Sequence, residues 1–323
     1  MKYRFGIDIG GTKCAVILGM DENSADKKAT LLKKVVYETK KTSGPDEMIS
    51  LFIQSIEEII QEFDIDKKEI AGIGISCGGP LSSRERIILA PPNLPGWVNV
   101  PIGRLLEDRF DVPVILGNDA NACAMAEWKY GAGRGYKNVV FLTFGTGLGA
   151  GLILDGKLYR GTNDMAGEVG HIRLTECGPV GFGKMGSFEG YCSGGGIDQI
   201  AGMKVREQTE IGIFPELYTS GKPLDTKHVA IAADAGDPLA KEIFAMSGRY
   251  LGKGLAIIVD ILNPEVIIIG SIFERSHHLL WPYAKEELEK ESLKVARDVC
   301  KVVPSQLGDN IGDYAALALV ERQ

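Results

Sequence analysis

Two glycine-rich turns, each set between apolar strand-like runs, constrain this chain more than any other feature. Asp8-Ile9-Gly10-Gly11-Thr12-Lys13 follows the run Tyr3 to Ile7 and leads into Ala15 to Leu18. Thr143-Phe144-Gly145-Thr146-Gly147-Leu148-Gly149 follows Val139 to Leu142 and leads into Ala150 to Leu154. Strand, tight turn, strand is thus written twice, as a weak internal repeat. Glycine suits such turns because it adopts positive φ and lets a ligand approach the backbone closely. Thr12, Lys13 and Thr146 add hydroxyl and ammonium donors at the tips. Two such clamps imply a polyphosphate held between two lobes. Neither segment reads GxxxxGK[ST], and the second enters a strand rather than a helix. A Walker loop and a dinucleotide fingerprint are therefore excluded.

The remaining pattern predicts an α/β protein. Strands are expected at Arg4 to Asp8, Cys14 to Gly19, Lys33 to Glu38, Ile70 to Ser76 and Val112 to Leu116. Met48, Phe52, Ile56, Ile59, Ile60 and Phe63 recur at helical spacing after Pro45, predicting a helix to Phe63. Ile102 to Phe110 and Asn121 to Tyr130 read as further helices. Past the second glycine turn lies a glycine-dense loop region from Tyr159 to Ser193. Helices follow at Ile197 to Thr209, Pro238 to Val259, Lys285 to Lys294 and Tyr314 to Arg322, with strands at Val266 to Ile269 and Val299 to Pro304. A length of 323 residues fits two domains. Their expected extents are residues 1–118 with 305–323, and residues 119–304, the last helix folding back onto the first lobe.

Charge narrows the partners. The net charge is −7, and binding to nucleic acid or an anionic membrane needs clustered Lys and Arg. Neither partner is expected. An anionic ligand must then be held by local donors and a metal ion. The most apolar stretch, Leu255 to Ile269, is broken by Asp260, Asn263, Pro264 and Glu265, so it is not read as a membrane span. No export signal precedes the first strand, and none of the 6 cysteines forms a CxxC pair. Reduced thiols in the cytoplasm are the expectation.

A few polar residues stand where chemistry is plausible. Asp8 ends an apolar strand beside a glycine turn, a position suited to water-mediated contact with Mg²⁺. Asn118-Asp119-Ala120-Asn121 marks a strand-to-helix junction. Either Asn118 or Asp119 could serve as an N-cap, or Asp119 could be a general base with Asn118 holding a neighbouring hydroxyl. Gly167-Glu168-Val169-Gly170-His171 and Gly186-Ser187-Phe188-Glu189-Gly190 place acceptors in glycine-rich loops, as hydroxyl-rich ligands require.

Taken together these segments resemble the ROK family (repressors, open reading frames, kinases) of sugar kinases, within the actin-like ATPase superfamily. The resemblance rests on Asp8 to Lys13, Gly78-Gly79-Pro80, Gly117 to Ala122, Gly145 to Gly149, Gly161 to His171 and Asn263 to Gly270, and it covers essentially the whole chain. It implies a two-lobed actin-like ATPase (ribonuclease H-like) fold with an interlobe cleft. It implies ATP and Mg²⁺ as cofactors, with Gly10, Gly11, Thr12, Lys13, Gly145, Thr146, Gly147 and Gly149 around the phosphates and Gly270 and Ser271 near the adenosine. Asp119 would be the base acting on the C6 hydroxyl of glucose or a related hexose. Gly79, Asn118, Glu168, His171 and Glu189 would hold the sugar. A homodimer is also implied.

Two departures from the family pattern stand out. Most members carry Cys-x-Cys-x4-Cys before the residue matching Glu189, with the residue matching His171 as a fourth zinc ligand. Here Val180, Phe182 and Ser187 occupy the three cysteine positions, so no zinc is expected. A hydrophobic plug of Phe182 and Phe188 is expected in its place, leaving His171 free for the sugar. Second, Gly270 is followed by Ser271 and Ile272, where the family often repeats glycine. Alternatives within the family are an N-acetylhexosamine kinase or a fructokinase. Polyphosphate remains open as the donor. Outside the enzyme class lie a non-catalytic sugar-binding protein and a sugar-responsive repressor, the latter disfavoured by the acidic charge and the short lead into the first strand.

Overall fold

Glycines in the middle of four neighbouring strands decide how the first sheet is covered. The strands are β1 (Tyr3–Ile9), β2 (Lys13–Asp21), β3 (Ala29–Glu38), β4 (Ile70–Cys77) and β5 (Val114–Asn118), ordered β3-β2-β1-β4-β5. β2 is antiparallel to both β1 and β3, whereas β1, β4 and β5 run parallel. On one face the Pro45–Glu62 helix buries Met48, Ile49, Phe52, Ile56 and Ile59. They pack with Phe5, Ile7, Val16, Leu18, Ile73 and Ile75 into one core. On the other face lies the Ile311–Leu319 helix, bedded on Gly6, Gly19, Gly74 and Gly117. A Cβ at Gly6 would stand 3.0 Å from the Ala316 Cβ, and one at Gly74 would collide with the Ala316 carbonyl. Glycine here supplies space for a close backbone approach at some cost in strand propensity.

The protein is described by a computed structural model covering residues 2–21, 29–39 and 44–320. It divides into two units. The first comprises residues 1–136, 151–166 and 306–323, and the second residues 137–150 and 167–305. In the second unit β9 (Val266–Ile269) runs parallel to β6 (Val139–Phe144) on one side and to β10 (Lys301–Pro304) on the other. All four residues of β9 are buried, as its unbroken apolar run dictates for a strand covered on both faces. β7 (Leu148–Leu154) leaves the second glycine turn and pairs, by its later residues, with β8 (Lys157–Tyr159). The long Pro238–Leu262 helix packs against the His277–Glu291 helix.

Several elements differ from the sequence expectation for local reasons. The helix expected at Lys285 to Lys294 begins instead at His277 and runs through Pro282. That proline sits just past the first turn, so it removes only one internal N–H···O bond. The loop region from Tyr159 to Ser193 contains a two-stranded hairpin, Val180–Gly181 with Lys184–Met185, and a short helix, Phe188–Tyr191. The Thr226–Asp234 helix carries only Val229 and Ala233 as buried residues, too few for a periodic signal. The helix expected at Tyr314 to Arg322 spans Ile311–Leu319, and Glu321 and Arg322 of that expectation lie outside the described residues. No helix among the described residues is long and apolar enough to cross a membrane.

Candidate functional site

In the first unit, the parallel strands β1, β4 and β5 all deliver their C-terminal ends to one place. Asp8 pairs in register with Ser76, and Cys77 with Asn118. The Asp8 carboxyl is pushed up to about 7, chiefly by burial, then by the charges of Asp119 and Asp313; Lys34 and a hydrogen bond from Ser76 oppose the rise. Asp313 is buried, and Lys34 Nζ reaches its two carboxylate oxygens at 2.6 and 2.8 Å. The neighbouring Gly312 leaves room for Asp8: a Cβ there would stand 3.0 Å from Asp8 Oδ2.

Asn118 and Asp119 occupy the junction of β5 with the Asp119–Tyr130 helix. The Asn118 side-chain oxygen accepts from the Ala120 N–H at 3.0 Å, so Asn118 is the N-cap. Its amide nitrogen faces Gly79, at 3.4 Å from where a Cβ would stand. Asp119 Oδ1 also accepts from Ala120 N, at 2.8 Å, and Oδ2 faces Gly78. Asp119 keeps a solvent-exposed face, yet desolvation by the surrounding protein raises its carboxyl above the usual range, and its backbone hydrogen bonds only partly offset this. The Gly79-Pro80 peptide is cis. The sequence reading passed over Asn93, which lies against both Gly11 and Gly78. Its signal was its setting, Pro91-Pro92-Asn93-Leu94-Pro95, a polar residue inside a rigid loop.

The first glycine turn is tied by Gly10 N to Lys13 O at 3.0 Å and by the Thr39 hydroxyl to Gly10 O at 2.7 Å. Thr12 and Lys13 are exposed at its tip. One expectation is corrected here. None of Gly10, Gly11, Gly145, Gly147 or Gly149 has a positive φ. Space, not torsion, selects glycine at three of them. A Cβ would stand 2.8 Å from Lys13 O at Gly10, 2.9 Å from Asn93 O at Gly11, and 2.9 Å from Glu189 Oε2 at Gly147.

The second unit gathers the other candidates around the second turn. Gly145 N donates to Gly147 O at 3.1 Å, and the Thr143 hydroxyl accepts from Gly149 N at 2.9 Å. Glu189 Oε2 accepts from Leu148 N at 3.0 Å, and Gly170 lies against the Glu189 Cβ. His171 follows Gly170 in a single 3-10 turn in which His171 N donates to Glu168 O at 3.1 Å. Glu168 and His171 are exposed. Gly145, Gly194 and Ser271 also meet beside the turn, with Gly194 N donating to Gly145 O at 2.7 Å.

The residues present do not fit a zinc ion at the family's position. Val180 is held through its backbone, Gln199 accepting from its N–H and donating to its carbonyl, each at 2.9 Å. The Ser187 hydroxyl caps the Phe188–Tyr191 helix by accepting from Gly190 N at 3.1 Å. Cys192 is buried with its thiol on Ser247 O. The expected plug is corrected in one half. Phe188 is fully buried against Gly254, but Phe182 is 78% exposed. Phe182 takes a hairpin position with φ +43° and sets its ring edge-on to His171, with centroids 6.4 Å apart. Lys184 Nζ donates to His171 O at 2.7 Å. An amide clip, an ammonium and an aromatic edge thus hold this loop.

The Asp8 carboxyl makes a pH prediction. Its native proton affinity exceeds that of an unfolded aspartate, at about 3.9. The stability it contributes is therefore complete below about pH 4 and is lost as pH rises through about 7. Asp8→Asn removes that loss. In metal-free buffer it should raise Tm by several degrees at pH 8 and by far less at pH 5. An equal change at both pH values would refute the electrostatic account.

The ROK family model matches residues 4–323. A glucokinase of Halalkalibacterium halodurans is 31% identical, covering 100% of this chain and 96% of that protein. A ROK family glucokinase from Streptomyces griseus, solved in complex with glucose and AMPPNP, is 28% identical with a TM-score of 0.74, covering 98% of each chain. A xylose repressor of Caldicellulosiruptor bescii is 28% identical, covering 98% of this chain and 77% of that protein.

Proposed function

The chain belongs to the ROK family and is a sugar kinase with the actin-like ATPase fold, and from that premise we propose that it transfers a phosphoryl group from ATP to the 6-hydroxyl of glucose or a related hexose. The observation that carries the reading is the solvent-reachable, proton-avid carboxyl of Asp119, set at a helix start beside Asn118 and Gly78-Gly79. A base of raised proton affinity takes a hydroxyl proton more readily, provided it is ionised when the sugar arrives. As the sugar oxygen forms its bond to the γ-phosphorus, the bond from that phosphorus to the ADP oxygen breaks. The hydroxyl proton passes to Asp119. Asn118, already fixed as an N-cap, presents its amide nitrogen to a neighbouring hydroxyl. Glu168, His171 and Glu189 hold the remaining hydroxyls, and Gly79 gives the sugar a backbone edge.

Backbone N–H groups at Gly10 to Lys13 and Gly145 to Gly149 receive the phosphates, with Gly270 and Ser271 on the nucleoside side. Asp8 is the carboxylate suited to Mg²⁺ carried in with ATP, since a hard cation takes oxygen ligands and would offset the crowding of Asp8, Asp119 and Asp313. When bound, the ion neutralises phosphate charge. The protein otherwise contributes positioning and fixed donors. A homodimer in the cytoplasm completes the reading.

Release of ADP from Mg-ATP, measured across hexoses, fructose and N-acetylhexosamines without added zinc, tests it. Turnover on glucose or an epimer well above the rest is expected. Preference for an N-acetylhexosamine or fructose would replace the substrate but keep the chemistry. The similarity to a xylose repressor favours a second reading, a sugar-responsive regulator. Tight sugar binding with no turnover on any sugar, with ATP or polyphosphate, would establish that one.

A further inference from the structure

Ser271 stands where glycine belongs. It precedes the Ile272–Arg275 helix with φ +57° and ψ −111°. Other non-glycine residues at positive φ, such as Asp111 and Asn263, cap helices in the ordinary left-handed region, with ψ of 46° and 56°. Ser271 does not. Its angles are those of the first central residue of a type II′ turn, which glycine fills because a Cβ crowds the backbone there. A serine before a helix is usually kept for its N-cap bond, but the Ser271 side chain makes none. Its hydroxyl instead faces Gly145, the first glycine of the second turn, at 3.7 Å from where a Cβ would stand. It is half-buried beside that turn.

We propose that the Ser271 hydroxyl donates a hydrogen bond to a phosphate oxygen of the phosphoryl donor, and that the strained backbone is retained because it aims this hydroxyl at the Gly145–Gly147 turn. Strain of this kind persists where the surroundings enforce it and where it serves a site. The inference rests on the kinase reading for the identity of the ligand. It requires only that a phosphate-bearing donor, nucleotide or polyphosphate, sits at the turn.

Two variants separate strain from contact. Ser271→Gly removes both the strain and the hydroxyl, and Ser271→Ala removes only the hydroxyl. Relief of strain should outweigh the extra freedom that glycine gives the unfolded chain, so Ser271→Gly should raise Tm while Ser271→Ala leaves it near that of the parent. Both should raise the KM for the donor about tenfold, the effect of one lost hydrogen bond to a charged group, and leave the sugar KM unchanged. ATP affinity is measured alongside by calorimetry without sugar. A parent chain that binds ATP but turns over no sugar would refute the kinase reading while leaving this test intact. A raised KM for polyphosphate alone would support the contact and name that donor. Donor KM and affinity within twofold of the parent in both variants would overturn the proposal, as would a Ser271→Gly variant no more stable than Ser271→Ala.

Discussion

Asp119→Asn lowers kcat by about 10²–10⁴-fold, the usual contribution of a positioned base, with sugar affinity nearly unchanged. Asparagine keeps the shape and the oxygen that accepts from Ala120 N at 2.8 Å, so the helix start and the Asn118 cap survive. It cannot take a proton. The phosphoryl transfer then has to lose the hydroxyl proton to water with no positioned acceptor. The raised proton affinity of the Asp119 carboxyl predicts a pH signature. Turnover of the parent should fall as pH drops into the range where Asp119 protonates, and the residual turnover of Asp119→Asn should lack that limb. Steady-state kinetics with equilibrium sugar binding checks both. Near-parental kcat in the variant would remove Asp119 from its role. A kcat loss matched by a lost sugar affinity would make it a binding residue instead.

The local structure of the first unit was largely legible in the sequence, because each element announces itself over few residues. Strand, glycine turn and strand at Asp8 to Leu18 are contiguous, and Asn118-Asp119 sits where an apolar run gives way to a helical one. The torsional reading of the glycines was not secure. Gly10, Gly11 and Gly147 are required by neighbours that come from Lys13, Asn93 and Glu189, and two of these are distant in sequence. The same holds for Asp313. It breaks the apolar run Ile311 to Leu319, but its partner Lys34 is 279 residues away. Gln199 was invisible for another reason: its side chain mimics a backbone partner for Val180, a job that carries no motif. Phe182 was misplaced because an apolar residue at a lost metal position suggests packing, whereas a hairpin tip at positive φ puts it in solvent.

Glu127→Ala costs about 3 kcal/mol of stability, from three charge-assisted hydrogen bonds at about 1–3 kcal/mol each, reduced where water reaches the freed donors. Glu127 is fully buried in the Asp119–Tyr130 helix. Its carboxylate accepts from Ala132 N at 2.7 Å, Leu307 N at 2.9 Å and Gln306 N at 3.0 Å. Gly131 has no side chain because a Cβ there would collide with Glu127 Oε2. The next residue, Trp128, donates its indole N–H to Tyr136 O at 2.8 Å. The chain first leaves the first unit after Tyr136 and last re-enters it at Gln306, so one helical turn fixes both segments within that unit. At about 2–4 °C per kcal/mol for a chain of this size class, Tm should fall by about 6–12 °C. Glu127→Gln keeps one carbonyl acceptor and should lose roughly half as much. Activity per folded molecule, assayed well below the lowered Tm, should persist, since Glu127 anchors backbone rather than substrate. A Tm for Glu127→Ala within 2 °C of the parent would show that water replaces all three bonds at no cost, and the anchor would then be ornamental to the fold.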